Sequence, residues 1–418
     1  MPKTSQVLAI VALLGSIAYT APRNIILMIG DGSGAKHLQA IQYYLTGKDS
    51  SALSQFPVQM WMSTYSAQGS YSPDLATSDA LYVKRKPTDS AASATALSTG
   101  KKTYDAAIGV GMDSIPLITM VEAASEDEKS TGVVTTVPIS HATPAAMVAH
   151  NTSRNQYSQI AQEMFLRSNL DVIIGGGNPN YDHDGATINN PSDRNYQYVG
   201  GQPTWLALEA GKAANLSGTP WTLVQSKGGL DSIAHKTRAI PASLAGIMPV
   251  QETMQQKRTG AKKISTSPTL ATMSLAALTV LNQNPKGFFV MIEGGAIDWA
   301  SHSNQSERMI EEGADFLHAV DSVLTWINKH GGLEQNLLIV TADHETGFLS
   351  DPVNQGKGAM PKLEWKSTDH TNQLVKLYAI GNGSKTLPDR TGKYTDNARL
   401  GQYLHSLVWH ERRTANKP

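Results

Sequence analysis

The chain has 418 residues with 35 basic and 35 acidic side chains, so its formal net charge is zero. A general nucleic-acid binder should carry a basic excess, and this balance argues against one. Cysteine is absent, which excludes disulfides and thiolate metal sites, so any metal must be held by His, Asp, Glu or hydroxyl groups. The length suits one large domain or two to three smaller ones.

The first twenty residues have the pattern of a secretion signal. Lys3 supplies the positive end, residues 7–18 form a short apolar region, and small residues precede Ala21. The apolar region is too short for a comfortable membrane span, which needs about 20 residues, and an uncleaved anchor is the weaker alternative. We therefore expect an exported protein, periplasmic or extracellular, with a mature chain over residues 21–418 and no stable membrane span.

Short apolar runs predict buried strands, and most of them end at a residue able to bind metal or phosphate. The first, Asn24–Ile29, leads into a glycine-rich turn that holds Asp31. Runs that are apolar on both faces are typical of parallel strands, and ligands bind where the carboxyl ends of such strands meet. Further strands are predicted at residues 131–137, 170–174, 288–292, 337–340 and 374–380. This repetition indicates one active site at one edge of the sheet.

The segments between the strands carry helical periodicity. Apolar residues from Met309 to Ile327 recur at i, i+3, i+4 and i+7, and Leu270–Leu281 reads as a helix entered through Pro268. The alternation predicts one α/β domain, doubly wound, with a mostly parallel central sheet and helices on both faces. Residues 178–266 are rich in turn-forming residues. We expect a loop-rich insertion over or beside the sheet there. It could act as a lid or a subunit contact, but a surface segment without a function of its own is the favoured interpretation.

An alanine-rich octet, Thr88–Thr95, predicts a helix that begins close to Ser90. Pro87 biases the residue before it away from helix, so the helix cannot begin much earlier. The N-terminus of a helix favours negative charge, and a serine oxygen there can be held as an alkoxide or carry a phosphoryl group. Taken alone, the octet leaves open the alternative that Asp89 or Ser90 serves only as the N-cap.

Side chains of the kind that bind metal are grouped in the second half of the chain. Asp298 and His302 are four residues apart and would share one face of a helix. Asp343 and His344 directly follow a buried strand, where polar groups are costly unless they are paired or metal-bound. Three imidazoles and three carboxylates are enough ligands for two zinc ions that each keep a coordination position open for water or substrate. These residues are Asp31, Asp298, Asp343, His302, His344 and His370.

Two further features suit a phosphorylated substrate. Thr143, Glu293 and Asp31 offer oxygen ligands, which suit a harder ion such as magnesium. Arg154 has a planar guanidinium that could hold two phosphate oxygens at once, although a lone arginine is normally a solvated surface residue.

In combination and in order, these motifs resemble the alkaline phosphatases, the metal-dependent phosphomonoesterase family, over essentially all of the mature chain. The motifs are Asp31–Gly34, Thr88–Thr95, His141–Pro144 through Arg154, Glu293–His302, Thr341–Thr346 and His370–Thr371. The resemblance implies that small-molecule phosphate monoesters are hydrolysed through a phosphoserine, on two Zn²⁺ and one Mg²⁺. It also implies a homodimer.

The resemblance assigns a role to each site residue. It implies that Ser90 is the nucleophile, activated at a zinc ion, and that Arg154 holds the phosphoryl group. It implies one zinc site formed by Asp298, His302 and His370. It implies a second formed by Asp31, Asp343 and His344. Magnesium would be shared by Asp31, Thr143 and Glu293.

Two of the positions that depart from the best-known bacterial member of that family concern the site. His141 and Trp299 stand where that enzyme has an acidic and a basic residue, and the resemblance implies indirect contact with the phosphate or magnesium site. Neither change touches a residue implied to bind zinc.

Other functions are open to the same residues. A phosphodiesterase or sulfatase of the same superfamily is the nearest alternative, although Arg154 with Thr143 and Glu293 favours a monoesterase. A sulfatase would need a modified Cys or Ser in a motif that does not follow Ser90. A secreted metal- or phosphate-binding protein without enzymatic activity is a more distant alternative, and it would need no activated serine.

Overall fold

The computed structural model describes residues 21–79, 81–388 and 394–408. The predicted signal segment, residues 1–20, lies outside the described residues. Within the described ranges, no helix combines the length and the apolar character needed to cross a membrane.

A ten-stranded sheet forms the centre of the described chain. Its strands are β1 Asn24–Gly30, β2 Val58–Ser63, β3 Ser130–Pro138, β4 Val172–Gly176, β5 Thr222–Val224, β6 Leu244–Ile247, β7 Phe288–Gly294, β8 Asn336–Thr341, β11 Val375–Gly381 and β12 Tyr394–Asp396. Their order across the sheet is β12-β2-β11-β8-β1-β7-β3-β4-β6-β5. Among the described strands, all sheet neighbours pair in parallel except those of β11, which runs antiparallel to both β2 and β8. Two short strands, β9 Glu345–Thr346 and β10 His370–Thr371, pair separately beside its edge.

Helices cover both faces of the sheet, which confirms the predicted α/β fold class. They are α1 Ala35–Thr46, α2 Pro73–Ser78, α3 Ser90–Thr99, α4 Met120–Glu126, α5 Ala142–Ala146, α6 Tyr157–Leu166, α7 Gln202–Glu209, α8 Lys227–Ala234, α9 Leu270–Leu281, α10 Ala296–His302, α11 Ser306–Lys329, α12 Gly332–Gln335 and α13 Asn397–Val408. Short 3₁₀ helices lie at Ala52–Gln55, Tyr82–Lys84, Asp193–Val199 and Ser384–Thr386.

The continuous apolar strands supply two hydrophobic cores, one on each face. Successive side chains of a strand point to opposite faces. In β1, Ile25, Leu27 and Ile29 belong to one core, whereas Ile26 and Met28 belong to the other. A central strand covered on both sides must therefore be apolar at every position, and this explains why the sequence pattern was readable.

Helix α3 is buried nearly all round, and all of its residues except Leu97 are Ala, Ser or Thr. It packs against α13 and α5. The helices approach closely at Gly401 of α13, where an added Cβ would lie 2.4 Å from the carbonyl oxygen of Ala96. The small residues of α3 are therefore explained by the space between these elements, and the helix N-terminus is held firmly at the edge of the sheet.

Residues 178–266 were expected to form a loop-rich insertion over or beside the sheet. Much of this segment is irregular, but β5 and β6 within it extend the sheet itself beyond β4. These strands have only three and four residues. Runs this short give no clear periodicity, so the sequence pattern did not reveal them. The division of the chain into domains stays a prediction.

The order of the strands brings the predicted site residues to one edge. Strands β8, β1, β7 and β3 are consecutive neighbours and parallel, so the residues after their carboxyl ends lie side by side. Strand β11 runs the other way, and its beginning therefore lies at this same edge. His370 precedes β11 and reaches the site for that reason.

Candidate active site

Ser90 is the first residue of α3, and its side chain faces the site. Asp89 is the N-cap, since its Oδ1 accepts a hydrogen bond from the backbone N–H of Ala92 at 2.9 Å. The capping role therefore falls to Asp89, and the hydroxyl of Ser90 lies 3.1 Å from Nε2 of His344. The serine oxygen is thus next to the positive end of a helix and to a ligand-type imidazole.

Asp89 also orients Arg154. Its Oδ2 accepts from Nη1 of Arg154 at 2.9 Å and from the backbone N–H of Ala106 at 3.0 Å. The other terminal nitrogen of the guanidinium, Nη2, lies 3.4 Å from Nε2 of His141. The sequence offered Asp89 only as a cap, because its contact with Arg154 joins residues 65 positions apart.

Asp298, His302 and His370 form one group of candidate metal ligands, with ligand atoms all within 4.8 Å of one another. The Nδ1 atoms of His302 and His370 face the carbonyl oxygens of Thr368 and Thr88, so each Nδ1 must carry the proton. The two Nε2 atoms lie 2.9 Å apart, so either a proton or a metal ion must lie between them. A hydrogen-bonded second ring nitrogen is usual for metal-binding histidines.

The charge of Asp298 and the imidazoles beside it shift the pKa values within this group. Burial alone would lower the pKa of His370, but its contact with the carboxylate of Asp298 outweighs burial and raises the pKa to about 9. Burial alone would raise the pKa of Asp298, and the imidazoles, His370 foremost, hold it well below its usual range instead. The group therefore favours positive charge at its centre.

Asp31, Asp343 and His344 form the second group, and all three side chains are fully buried. Nε2 of His344 lies 3.4 Å from Oδ1 of Asp31 and 3.3 Å from Oδ2 of Asp343. Among the described residues, neither oxygen of Asp31 nor Oδ2 of Asp343 has a hydrogen-bond partner. Oδ1 of Asp343 is held by the backbone N–H groups of Gly32 and His344, at 3.1 and 3.0 Å.

Uncompensated negative charge makes this second group costly without a cation. Burial raises the pKa of Asp343 to about 6. Burial and then the charge of Asp343 raise the pKa of Asp31 well above its usual value. Burial also lowers the pKa of His344, so the ring is neutral and offers a lone pair. Buried carboxylates are rarely left unpaired, and this donor set fits a zinc ion.

A third set of oxygens lies beside Asp31. Oε1 of Glu293 and Oγ1 of Thr143 are buried, and neither forms a well-aligned hydrogen bond in the described part of the chain, although Thr143 is close enough to lower the pKa of Glu293. Oε2 of Glu293 accepts from the hydroxyl of Thr135 at 2.5 Å, which fixes the carboxylate. Burial raises the pKa of Glu293 to about 7, and its charge contributes to the raised pKa of Asp31. Oxygen atoms alone fit magnesium better than zinc.

His141 and Trp299 line the cleft above the buried groups, with ring centroids 5.2 Å apart. Burial and then the charge of Arg154 lower the pKa of His141 to about 3, so its imidazole is neutral. His141 and Trp299 are thus in contact with each other, and His141 also contacts Arg154.

The cleft itself has a volume of about 300 Å³. Predicted residues on its walls are Ser90, His141, Arg154, Asp298, Trp299, His302 and His370. Three unpredicted residues, Gln256, Lys257 and Ser303, complete the lining. Lys257 belongs to the irregular segment after β6, where no sequence pattern pointed to the site.

Two threonines that support the ligands were also missed as functional residues. Oγ1 of Thr346 donates to Oδ1 of Asp298 at 2.5 Å and lies 3.3 Å from Nδ1 of His344, so it links the two metal-ligand groups. Thr135 holds Glu293 as described. The only sequence signal for Thr346 was its place in the motif Thr341–Thr346. Thr135 gave no signal, because it is a single polar residue within a predicted strand.

Comparisons with known proteins agree with this geometry. Residues 22–415 match the family model described as alkaline phosphatase. Alkaline phosphatase 4 of Bacillus subtilis is 32% identical over 359 residues, which cover 83% of this chain and 67% of that protein. The alkaline phosphatase of Escherichia fergusonii is 30% identical over 439 residues, which cover 93% of this chain and 88% of that one.

The fold is also similar to solved structures. The alkaline phosphatase from the Antarctic bacterium TAB5 superposes with a TM-score of 0.69 at 26% identity, covering 93% of this chain and 99% of that one. A variant of the same enzyme has been solved with Mg bound in a site named M3.

Proposed function

Because the chain belongs to the alkaline phosphatase family, we propose that it hydrolyses phosphate monoesters in this cleft through a phosphoserine formed on Ser90. The observation that carries the proposal is the convergence of four features at one edge of the sheet. These are a serine at a helix N-terminus, an arginine held by a carboxylate, and two groups of candidate metal ligands.

The ligand groups have the residues that two Zn²⁺ and one Mg²⁺ require. Asp298, His302 and His370 would hold one zinc ion, and Asp31, Asp343 and His344 the other. Asp31 would be shared with magnesium, whose other protein ligands would be Thr143 and Glu293. When bound, these ions supply Lewis acidity, which lowers the pKa of a serine hydroxyl or water and neutralises a leaving oxygen.

The residues of the chain position the phosphoryl group for transfer. Oγ of Ser90 attacks phosphorus, the bond to the ester oxygen breaks, and the alcohol leaves. Water then cleaves the phosphoserine, releasing inorganic phosphate and restoring the hydroxyl. Arg154, fixed by Asp89, and the backbone N–H groups at the start of α3 hold charge on the non-bridging oxygens.

Protein groups alone do not account for such a reaction. Accelerations near ~10²¹ are known for phosphate monoester hydrolysis. A well-positioned nucleophile supplies at most roughly 7–11 kcal/mol of the lowering in barrier. The buried carboxylates and facing imidazoles are therefore best explained as ligands of ions that take part in the reaction.

The test is hydrolysis of an aryl phosphate monoester at alkaline pH by the wild type and the Ser90→Ala variant. Ser78→Ala is the control, since Ser78 lies on the exposed side of α2. We expect Ser90→Ala to lose turnover by several orders of magnitude and to keep its metal content. Stripping the wild type of metal should abolish turnover, and zinc with magnesium should restore it.

Three outcomes would contradict the proposal. Full turnover by Ser90→Ala would remove the serine from the mechanism. Turnover of a phosphate diester but not of the monoester would place the protein with the phosphodiesterases of the superfamily. Bound metal without any turnover would favour the metal-binding alternative.

We also propose that the protein is exported and forms a homodimer, on the basis of its family and of the N-terminal pattern. Sedimentation equilibrium of the metal-loaded protein tests the dimer. Fractionation of the producing cells tests the location.

A further inference from the structure

A cation at the rim of the cleft has no part in the reaction as proposed. Lys257 lines the same cleft as Ser90 and Arg154, and its Nζ lies 5.4 Å from the centroid of the Trp299 ring. We propose that Lys257 and Trp299 form a subsite for an anionic group on the alcohol part of the substrate. The enzyme would then favour monoesters whose alcohol carries a carboxylate or a further phosphate. This inference rests on the proposed function.

The chain around Lys257 is anchored, and its side chain is left to the cleft. Arg258 is buried, with 3% of its side chain exposed, and forms a bidentate ion pair with Glu311 of α11 at 2.5 and 2.8 Å. The backbone N–H of Lys257 donates to Oγ1 of Thr253 at 2.7 Å. Gln256 is also buried. The backbone of this segment is therefore fixed, while 45% of the Lys257 side chain is exposed.

The ammonium group is only loosely engaged by the protein. Nζ of Lys257 lies 3.8 Å from Oε2 of Glu252, close to the limit for an ion pair. On the other side it meets the face of Trp299, a contact that holds a cation without neutralising it. An anionic group of a substrate can therefore approach Lys257 without first breaking a close ion pair.

The position of Lys257 indicates which part of the substrate it meets. Trp299 contacts His141 at 5.2 Å between ring centroids, and His141 contacts Arg154, the residue proposed to hold the phosphoryl group. Lys257 is the most exposed member of this row. With the phosphoryl group at Ser90 and Arg154, the alcohol would extend toward the exposed side of the cleft, which Lys257 lines.

The test compares two aryl phosphates that differ in charge, carboxyphenyl phosphate and its carboxamide analogue. For Lys257→Gln we expect kcat/KM for the carboxylate ester to fall about two- to five-fold more than for the amide, the range of a solvent-exposed ion pair. Lys257→Arg should keep most of the wild-type preference. The preference should weaken as ionic strength rises, because exposed charges are screened by salt.

Lys286→Gln is the matched control. Lys286 is 58% exposed and lies 3.6 Å from Glu128, so its surroundings resemble those of Lys257, but it precedes β7 at the opposite edge of the sheet. This variant should keep the wild-type ratio of the two substrates.

The possible failures are distinguishable. If Lys257→Gln changed kcat/KM for both esters by the same factor, or for neither, the subsite would be refuted and the proposed function would stand. If no Ser90-dependent turnover of either ester were found, the proposed function would fail, and this inference with it. Thermal unfolding of each variant identifies a change caused by misfolding. If Lys257→Gln is misfolded, Lys257→Arg decides the outcome, because loss of the preference for the carboxylate ester in a folded Lys257→Arg variant would refute the subsite.

Discussion

Replacing Glu293 with glutamine should stabilise the metal-free protein, and bound metal ions should largely cancel that difference. The carboxylate is fully buried, and its Oε1 forms no well-aligned hydrogen bond among the described residues. Its Oε2 is held by Thr135, a bond that a glutamine carbonyl oxygen can also accept. The variant therefore removes a buried charge while it keeps the shape and the one hydrogen bond.

The magnitude follows from the pKa of the group. Burial raises the pKa of Glu293 from 4.5 to about 7 in the folded protein. Below the unfolded value, both states bind the proton and the carboxylate costs nothing. As pH rises through the folded value the cost develops fully, and it reaches about 3 kcal/mol, since one pKa unit is about 1.4 kcal/mol. Metal-free Glu293→Gln should thus be up to about 3 kcal/mol more stable than metal-free wild type above neutral pH.

In the metal-loaded protein this difference should largely disappear. The carboxylate is a proposed magnesium ligand, and an ion that binds only the folded state at 100 times its Kd stabilises it by about 2.7 kcal/mol. The variant should lose most of this gain. Urea unfolding of both proteins at about pH 4.5 and about pH 8.5, with chelator or with zinc and magnesium, measures all of these differences.

A control and two refuting results define the test. Glu334→Gln alters an exposed glutamate of α12 and should show neither effect. If metal-free Glu293→Gln were less stable than wild type at about pH 8.5, the buried charge would not carry the expected cost. If magnesium stabilised both proteins equally, Glu293 would not be one of its ligands.

Two further predictions concern other side chains. Arg154→Ala should lower kcat/KM for an aryl phosphate about 10²–10³-fold, the usual loss on removing one donor that stabilises the transition state. Steady-state kinetics measure this, with the exposed Arg167→Ala as control, and an unchanged value would place the phosphoryl group elsewhere. Glu312 is buried in α11, and burial, then the charges of neighbouring carboxylates, raise its pKa from 4.5 to about 8. Glu312→Gln should therefore raise the unfolding free energy by up to about 5 kcal/mol above pH ~8 and leave it unchanged near pH ~4. Denaturant titrations at the two pH values measure this difference. An equal effect at both would contradict the reasoning.

The sequence by itself determined the fold class and the elements at the centre of the sheet. Strands β1, β7 and β8 are covered on both faces, so their burial is written into unbroken apolar runs. Helix α9 begins and ends where the pattern predicted it, at Leu270 and Leu281. Asp343 and His344 were recognisable because they follow such a run, where an unpaired polar group is costly, and Asp298 and His302 because they are four residues apart. Their roles as ligands stay predictions.

Only the tertiary structure decided how these elements meet. The ligand groups lie side by side because strands β8, β1, β7 and β3 are adjacent in the sheet. His370 joins them because β11 runs antiparallel to β8. The contact of Asp89 with Arg154 and the anchoring of Lys257 through Arg258 each join residues more than fifty positions apart. Local periodicity reports how much of a segment is buried but not which distant side chain lies beside it. The subsite proposed at Lys257 therefore emerges only from the folded chain.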